Sequence, residues 1–273
     1  MPGAVTRFFN DLQVFDVEGY TKVRVGRHCD GGYVVLDELC PGTTLYSYGI
    51  GDDISFEIDF VNRYPGSSAR CFDHTIDRIP TDDPRIKFYK QGLGRGQNCK
   101  MPRMNIDLDN SPKVLKVDVE HHEWNWLSRW FDHYEFHQIV IELHILPVCT
   151  TRPWVPYLRN GEVVTGELSP YFQRMFKDFD SQVNDYVFSL YECGLARLLR
   201  NYRVFHIHGN NSLPKARLEG HEWPQLLELS LVLADTHLKF TPTTQTFPVP
   251  GLDFPNKDNR PDFKSILPFK CTT

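Results

Sequence analysis

The sequence predicts an α/β protein built on an open, mostly parallel sheet, and three observations predict it. Short apolar runs of strand length alternate with segments of helical period. Most of these runs end in acids, histidines or glycines, which places a polar site along the carboxyl edge of the sheet. The run Leu45-Tyr-Ser-Tyr48 passes through Gly49-Ile50-Gly51 into Asp52-Asp53-Ile54. A strand, a bare-backbone turn and an acid-rich helix start in that order are how such a sheet meets a nucleotide-like ligand.

Composition bounds the function. At 273 residues the chain suits one large domain, or one domain with additions. A net charge of −5, from 30 basic and 35 acidic residues, gives no electrostatic case for nucleic acid as a partner. Nineteen prolines predict long, punctuated surface loops. Seven cysteines stand singly with no Cys-x-x-Cys pair, which argues against a disulfide framework or a thiolate zinc site and for a reducing compartment. No apolar run of signal or membrane-spanning length occurs, so the expectation is a soluble, cytoplasmic protein.

Taken in order, residues 1–20 read as an amphipathic lead-in with Phe8, Phe9, Leu12 and Phe15 on one side. Val23 to Leu36 reads as two strands around Asp30-Gly31-Gly32, either a plain hairpin or a flap over the ligand. The helix after the glycine turn has Asp52, Asp53 and Ser55 as caps and Ile54, Ile58 and Val61 as its inward stripe. Ser68 to Asp73 is the second strand. Asp73 falls about 22 residues beyond Gly51, where a Rossmann-like sheet places a ribose-holding carboxylate, although an acid there is also a common turn former. Ile86 to Gln91 is the third strand and leads into Gly92-Leu-Gly-Arg-Gly96, read as a loop under an adenine ring. Residues 97–112 show no convincing helix.

Val114 to Val119 is the fourth strand, with Asp118 and Glu120 near its end, and the next helix turns Trp124, Leu127 and Phe131 into the core. Gln138 to His144 is the fifth, with Glu142 and His144 on one face. Residues 147–168 read as a loop insertion over the site. Pro170 opens a long helix striped by Phe172, Met175, Phe176, Phe179 and Val183, with Gly194 as a candidate break before Arg200. Arg203 to His208, with His206 and His208 on one face, is a further strand closed by Gly209-Asn210-Asn211. Leu226 to Leu233 is the last, and its one acid, Glu228, needs a partner if buried. The expected organisation is a lead-in and hairpin over 1–40, a main domain over 41–240 and a proline-rich arm over 241–273.

Five motifs in order, Tyr48-Gly-Ile-Gly51, Phe72-Asp73, Leu115-Lys-Val-Asp-Val-Glu-His-His-Glu-Trp124, Ile141-Glu-Leu-His144 and Phe205-His-Ile-His-Gly-Asn-Asn211, together resemble the FkbM-like branch of class I S-adenosylmethionine-dependent methyltransferases. The match is to the subgroup with Asp-Gly-Gly-Tyr before the first strand and Leu-Asp-Phe-Pro-Asn near the end, here Asp30 to Tyr33 and Leu252 to Asn256, and it covers about residues 20–262. The resemblance implies a Rossmann-like seven-stranded sheet, mostly parallel with the last strand antiparallel, and helices on both faces. It implies S-adenosylmethionine against Gly49, Ile50, Gly51, Asp73, His74, Gly92 and Asp118, and methyl transfer to a hydroxyl of a sugar or other small molecule. Two positions depart from the pattern. His121 replaces the glycine of the family's Asp-x-Glu-Gly turn, and Asp73 stands where Glu is frequent.

Methyl transfer to an alcohol requires alignment and loss of a proton. The candidate catalytic residues are His144 as general base, with Glu142 or Glu228 holding its tautomer, together with Asp118 and His208. Asn210, Glu228 and Glu120 are candidate acceptor contacts, and Trp154, Tyr157 and Trp223 suit stacking on sugar rings. Structural histidines within a hydrogen-bonded network are the plain alternative, and a divalent metal on the histidines and carboxylates is a sharper one. A non-catalytic binding module on the same sheet is the rival from another class. A nicotinamide oxidoreductase is disfavoured because the turn lacks the third glycine of the dinucleotide fingerprint.

Overall fold

The computed structural model describes residues 3–93, 111–129, 134–145, 154–159, 162–167, 180–218 and 221–264. In chain order these form α1 (Ala4–Asp11), β1 (Phe15–Val17), β2 (Lys22–Val25), β3 (Tyr33–Leu36), β4 (Thr44–Tyr48), α2 (Ser55–Arg63), β5 (Ser68–Phe72), β6 (Ile86–Tyr89) and β7 (Lys113–Val117). Then follow α3 (Glu123–Arg129), β8 (Gln138–His144), β9 (Trp154–Arg159), β10 (Glu162–Glu167), α4 (Asp180–Asn201), β11 (Tyr202–Leu218), β12 (His221–Leu233) and β13 (Phe240–Pro242).

Seven strands make one sheet in the order β6-β5-β4-β7-β8-β12-β11. β4 to β8 pair in parallel, and β12 runs antiparallel to both β8 and β11. This is the mostly parallel sheet with a reversed last strand that the resemblance implies. From β4 the chain steps outward through β5 and β6, then crosses back to β7 on the other side. The boundary of β4 and β7 is therefore the point where the strand order reverses, and it is at the carboxyl edge of such a point that open α/β sheets take their ligands.

Alternation along each strand divides the core. Tyr46, Leu115, Ile139 and Ile141 join Phe8 of α1, Trp124 of α3 and Phe188 and Tyr191 of α4 on one face. Leu45, Ala69, Val114 and Val140 join Phe56 and Phe60 of α2 and Val25 and Val35 of the β2–β3 hairpin on the other. Gln138 pins the hairpin to the sheet: its Oε1 accepts the Leu36 N–H at 2.7 Å and its Nε2 donates to the Leu36 carbonyl at 3.0 Å. Among the described residues no helix is long and apolar enough to cross a membrane. Cys29, Cys40, Cys71 and Cys193 are free thiols.

The structure departs from the sequence reading at several elements. The expected hairpin over Val23–Leu36 forms, whereas the expected loop over 147–168 contains the antiparallel ribbon β9–β10. The buried residues of α2 are Phe56, Glu57, Phe60 and Val61 rather than the expected stripe alone, and Asp53 Oδ1 accepts the Ser55 N–H at 2.9 Å. Gly194 does not break α4; an added Cβ would lie 3.1 Å from the Trp124 ring, so the glycine lets α3 and α4 approach. Gly209 to Asn211 do not close β11, which continues to Leu218 through an irregularity between Asn210 and Lys215. Trp223 is fully buried with its indole N–H on the Ile145 carbonyl at 3.0 Å, a core residue and not a surface for sugars. Gly94, Gly96, Phe131, Phe172, Met175, Phe176 and Phe179 lie outside the described residues, as do the side chains of Trp154, Tyr157 and Val183.

Candidate active site

The carboxyl edge of the central strands is built around Gly49. It holds φ +75°, its N–H donates to the Phe72 carbonyl at 2.9 Å, and a Cβ there would fall 1.6 Å from the Asp118 carbonyl oxygen. Only a bare backbone lets β4 pass between the ends of β5 and β7. Ile50 points into the core beside α2 and is buried, so it offers a ligand its backbone alone. Gly51, at φ +53°, has no atom within 4 Å of where its Cβ would stand, which leaves open space above the turn.

Asp73 closes this turn. Its Oδ2 accepts the Gly51 N–H at 2.9 Å, and its Oδ1 accepts the Thr75 N–H at 2.7 Å and the Thr75 hydroxyl at 2.6 Å. Burial would raise its pKa, but these bonds outweigh burial and hold the carboxyl below its usual range. Three of about four lone-pair directions are occupied, leaving one for a ligand hydroxyl. His74 is exposed, and Gly92 lies against it, with its Cβ position 2.8 Å from His74 Nδ1.

A second group gathers at the ends of β7 and β8. Asp118, Glu142 and His144 bring one ligand atom each within 4.8 Å of one another. Glu142 and His144 come together because β8 alternates; Asp118 comes because β7 runs parallel beside it. The partner of His144 is neither Glu142 nor Glu228. Its Nδ1 lies 2.9 Å from Glu123 Oε1, which also accepts the His144 backbone N–H at 2.8 Å, and its Nε2 lies 3.2 Å from Glu120 Oε2. Burial alone would lower the His144 pKa, but the charge of Glu123 and the bonds to Glu120 and Glu123 raise it well above the ordinary value. Burial, reinforced by the Asp118 charge, raises Glu142 well above the carboxylate range, and burial raises Asp118 as well. His121 is pushed down to about 4 by burial and by the charge of His144.

From Glu142 a chain of polar contacts leads away from this group. Asn210 Nδ2 donates to Glu142 Oε1 at 2.8 Å and reaches Asp30 Oδ1 at 3.5 Å. Asn256 Nδ2 donates to Asp30 Oδ1 at 3.1 Å and to Glu228 Oε1 at 2.6 Å. Glu228 Oε2 meets His208 Nδ1 at 2.9 Å, and His208 Nε2 lies 3.2 Å from Asp262 Oδ2. The expected partner for Glu228 is thus His208, and His208 stands several bonds away from Asp118, Glu142 and His144. His206 pairs separately with Asp253, Nε2 to Oδ1 at 2.7 Å.

Glu123, Tyr33, Asp30, Asn256 and Asp262 were not among the candidates. Tyr33 donates to Asp118 Oδ2 at 3.3 Å. Asp30, Tyr33 and Asn256 sit in the Asp-Gly-Gly-Tyr and Leu-Asp-Phe-Pro-Asn motifs, so the sequence marks them without giving them a role. Glu123 had a weaker one, an acid at a helix start following two histidines.

No family model matches the chain, and no curated protein matches it. Among solved structures it is similar to a hemolysin candidate from Lactococcus lactis, at TM-score 0.38 and 10% identity over 71% of this chain and 79% of that one. It is also similar to a candidate S-adenosylmethionine-dependent methyltransferase from Listeria monocytogenes, at TM-score 0.37 and 9% identity over 71% and 92% of the two chains. Likenesses this distant carry no function across.

Proposed function

We propose that the protein is an S-adenosylmethionine-dependent O-methyltransferase acting on a hydroxyl of a sugar or other small molecule. The observation that carries this reading is the Gly51 N–H held by Asp73 Oδ2 at 2.9 Å beside the bare Gly49, at the strand ends where the sheet order reverses. That arrangement gives a nucleoside open space over Gly51 and one free lone pair on Asp73, and it matches the motif order from which the family resemblance was drawn.

The bound cofactor would supply an electrophilic methyl on a sulfonium, which leaves as a neutral thioether once the acceptor oxygen forms its bond to carbon. Gly49, Gly51 and Asp73 hold and orient it, with Ile50, His74, Gly92 and Asp118 as further candidate contacts. The acceptor hydroxyl belongs over Asp118, Glu142 and His144, with Asn210, Glu228 and Glu120 as candidate contacts around it. Because its pKa is raised, His144 can accept a proton only once it has lost its own; in that form it is the candidate general base of a metal-free site, and Glu123 is the group that fixes its tautomer. A second reading, favoured by the convergence of Asp118, Glu142 and His144, assigns proton loss to a bound cation.

Calorimetry with S-adenosylmethionine, followed by labelled methyl transfer to a panel of glycosides and small phenols, tests the proposal. Saturable uptake is expected. Asp73→Asn should weaken it by about 10-fold, because an amide group cannot accept at both oxygen positions. His144→Ala should abolish transfer and leave uptake intact. A wild-type protein that takes up none of the cofactor overturns the proposal, and unchanged transfer by His144→Ala removes that residue from the chemistry.

A further inference from the structure

We propose that Asp118, Glu142 and His144 form a binding site for one divalent cation that accepts both oxygen and imidazole ligands, with Mn2+ as its type. The three residues lie on adjacent strand ends with their ligand atoms within 4.8 Å of one another. Glu142 and His144 are buried, and among the described residues neither Asp118 nor Glu142 forms an ion pair with a lysine or arginine. A cation bound here would displace the His144 proton and leave two ionised carboxylates and a neutral imidazole, whose two negative charges one divalent cation balances.

Each of the three is held from outside by a different element. The His144 Nδ1 hydrogen lies on the fully buried carboxylate of Glu123 at 2.9 Å, which leaves Nε2 as the ligand atom. Asn210 Nδ2 occupies Glu142 Oε1 at 2.8 Å, and the Tyr33 hydroxyl donates to Asp118 Oδ2 at 3.3 Å. Such outer partners, a carboxylate on the far nitrogen of the imidazole above all, are what orient ligands around a metal. The exposed carboxylate of Glu120, 3.2 Å from His144 Nε2, stands beside the group as a candidate fourth ligand and third oxygen donor. A separate observation concerns the same polar chain: Asn256 is 4% exposed and its Oδ1 has no hydrogen-bond donor. A buried acceptor without a donor is what a ligand hydroxyl would complete.

The choice of cation follows from the donor set. Carboxylate oxygens suit Mg2+, Ca2+ and Mn2+, whereas imidazole suits the transition metals, and Mn2+ satisfies both. Three protein ligands leave positions open for water or an acceptor hydroxyl. Its role deepens the methyl-transfer reading and rests on it. A hydroxyl on the cation becomes acidic enough to release its proton to solvent water, the oxygen pair then takes the methyl, and His144 serves as a ligand in place of a base. Binding of the cation does not depend on that reading.

The test is titration of chelator-treated, gel-filtered full-length protein with Mn2+, reading free Mn2+ by electron paramagnetic resonance. One saturable site per chain is expected. Asp118→Asn and Glu142→Gln should each weaken it at least about 10-fold, as should Glu123→Gln, while the exposed Asp235→Asn should not. Absence of a saturable site in the wild type overturns the proposal, as does a site that both Asp118→Asn and Glu142→Gln retain. If either variant fails to fold, the thermal midpoint of the wild type decides: a rise with Mn2+ supports the site and no rise overturns it. Calorimetry with S-adenosylmethionine on the same preparation separates the two readings. Cofactor uptake without Mn2+ binding sinks the cation site alone, and Mn2+ binding without cofactor uptake sinks the methyl-transfer reading alone.

Discussion

His121 holds φ +74°, directly after Glu120 at φ +49°, and neither is a glycine. A left-handed backbone costs an ordinary residue about 1–2 kcal/mol, so this turn stores strain beside the candidate site. The result of the strain is visible: the turn brings Glu120 to His144 Nε2 and ends where α3 presents Glu123 to Nδ1. His121→Gly should therefore be about 1 kcal/mol more stable than His121→Ala in urea denaturation, since both lose the ring and only glycine relieves the backbone. Equal stabilities would show that the positive φ carries no cost. At this scale the sequence was informative where chemistry sits on one strand and silent where it crosses space. Glu142 and His144 follow from alternation along β8. The bond from Glu123 to His144 spans 21 residues, and that from Asn256 to Asp30 spans 226, distances over which no local periodicity operates.

Gln138 shows what one residue does for an element. Fully buried at the start of β8, it replaces a strand partner for Leu36 by meeting both its N–H and its C=O, and so fastens the hairpin that carries Asp30 and Tyr33. Gln138→Leu would bury the Leu36 N–H without a partner and leave its carbonyl only the weak Cys40 thiol donor, at a cost of about 2 kcal/mol. The urea midpoint should fall accordingly, and a change within error would mean that hydrophobic contacts alone hold the hairpin. The central strands were legible because each is a short apolar run bounded by polar residues, and the antiparallel last strand entered through the resemblance. The elements that were missed carry residues that disguise them. β9 contains Pro156, tolerable in a ribbon where half the ladder groups face outward, so the stretch read as loop. The irregularity between Asn210 and Lys215 interrupts the period of β11, so periodicity alone ends the strand at Gly209. Gly194 looked like a break because its reason, the Trp124 ring, lies on another helix.

Across the whole molecule, the segment after β13 draws distant elements together. Phe254 stacks on His28 with ring centroids 4.3 Å apart and lies under the Arg24 guanidinium, Asp253 meets His206, and Asp262 meets His208. The hairpin, β11 and β12 are thus tied by one stretch of chain whose contacts are mostly charged and buried, and pH should act on them with opposite signs. Asp253 is held below the usual carboxylate range and His206 below the usual imidazole range, burial being the main cause for the histidine, so this pair loses stability as pH falls. His208 behaves in reverse. Burial would lower its pKa, but the Glu228 charge, the bonds to Asp262 and Glu228 and the Asp253 charge raise it to about 10. A folded pKa above the ordinary value of 6.5 means that its contribution is complete below pH 6.5 and is lost as pH rises through 10. Between pH 7 and pH 10 that loss is about 3 kcal/mol. His208→Gln keeps the shape and abolishes the titration, so its unfolding free energy should fall less over that interval than the wild type's by about the same amount. Tyrosines, lysines and cysteines titrate in both proteins and cancel in the difference. Parallel losses in the two would mean that His208 is neutral in the folded protein, and the charged clasp between β11, β12 and the C-terminal segment would have to be replaced by a network of neutral hydrogen bonds.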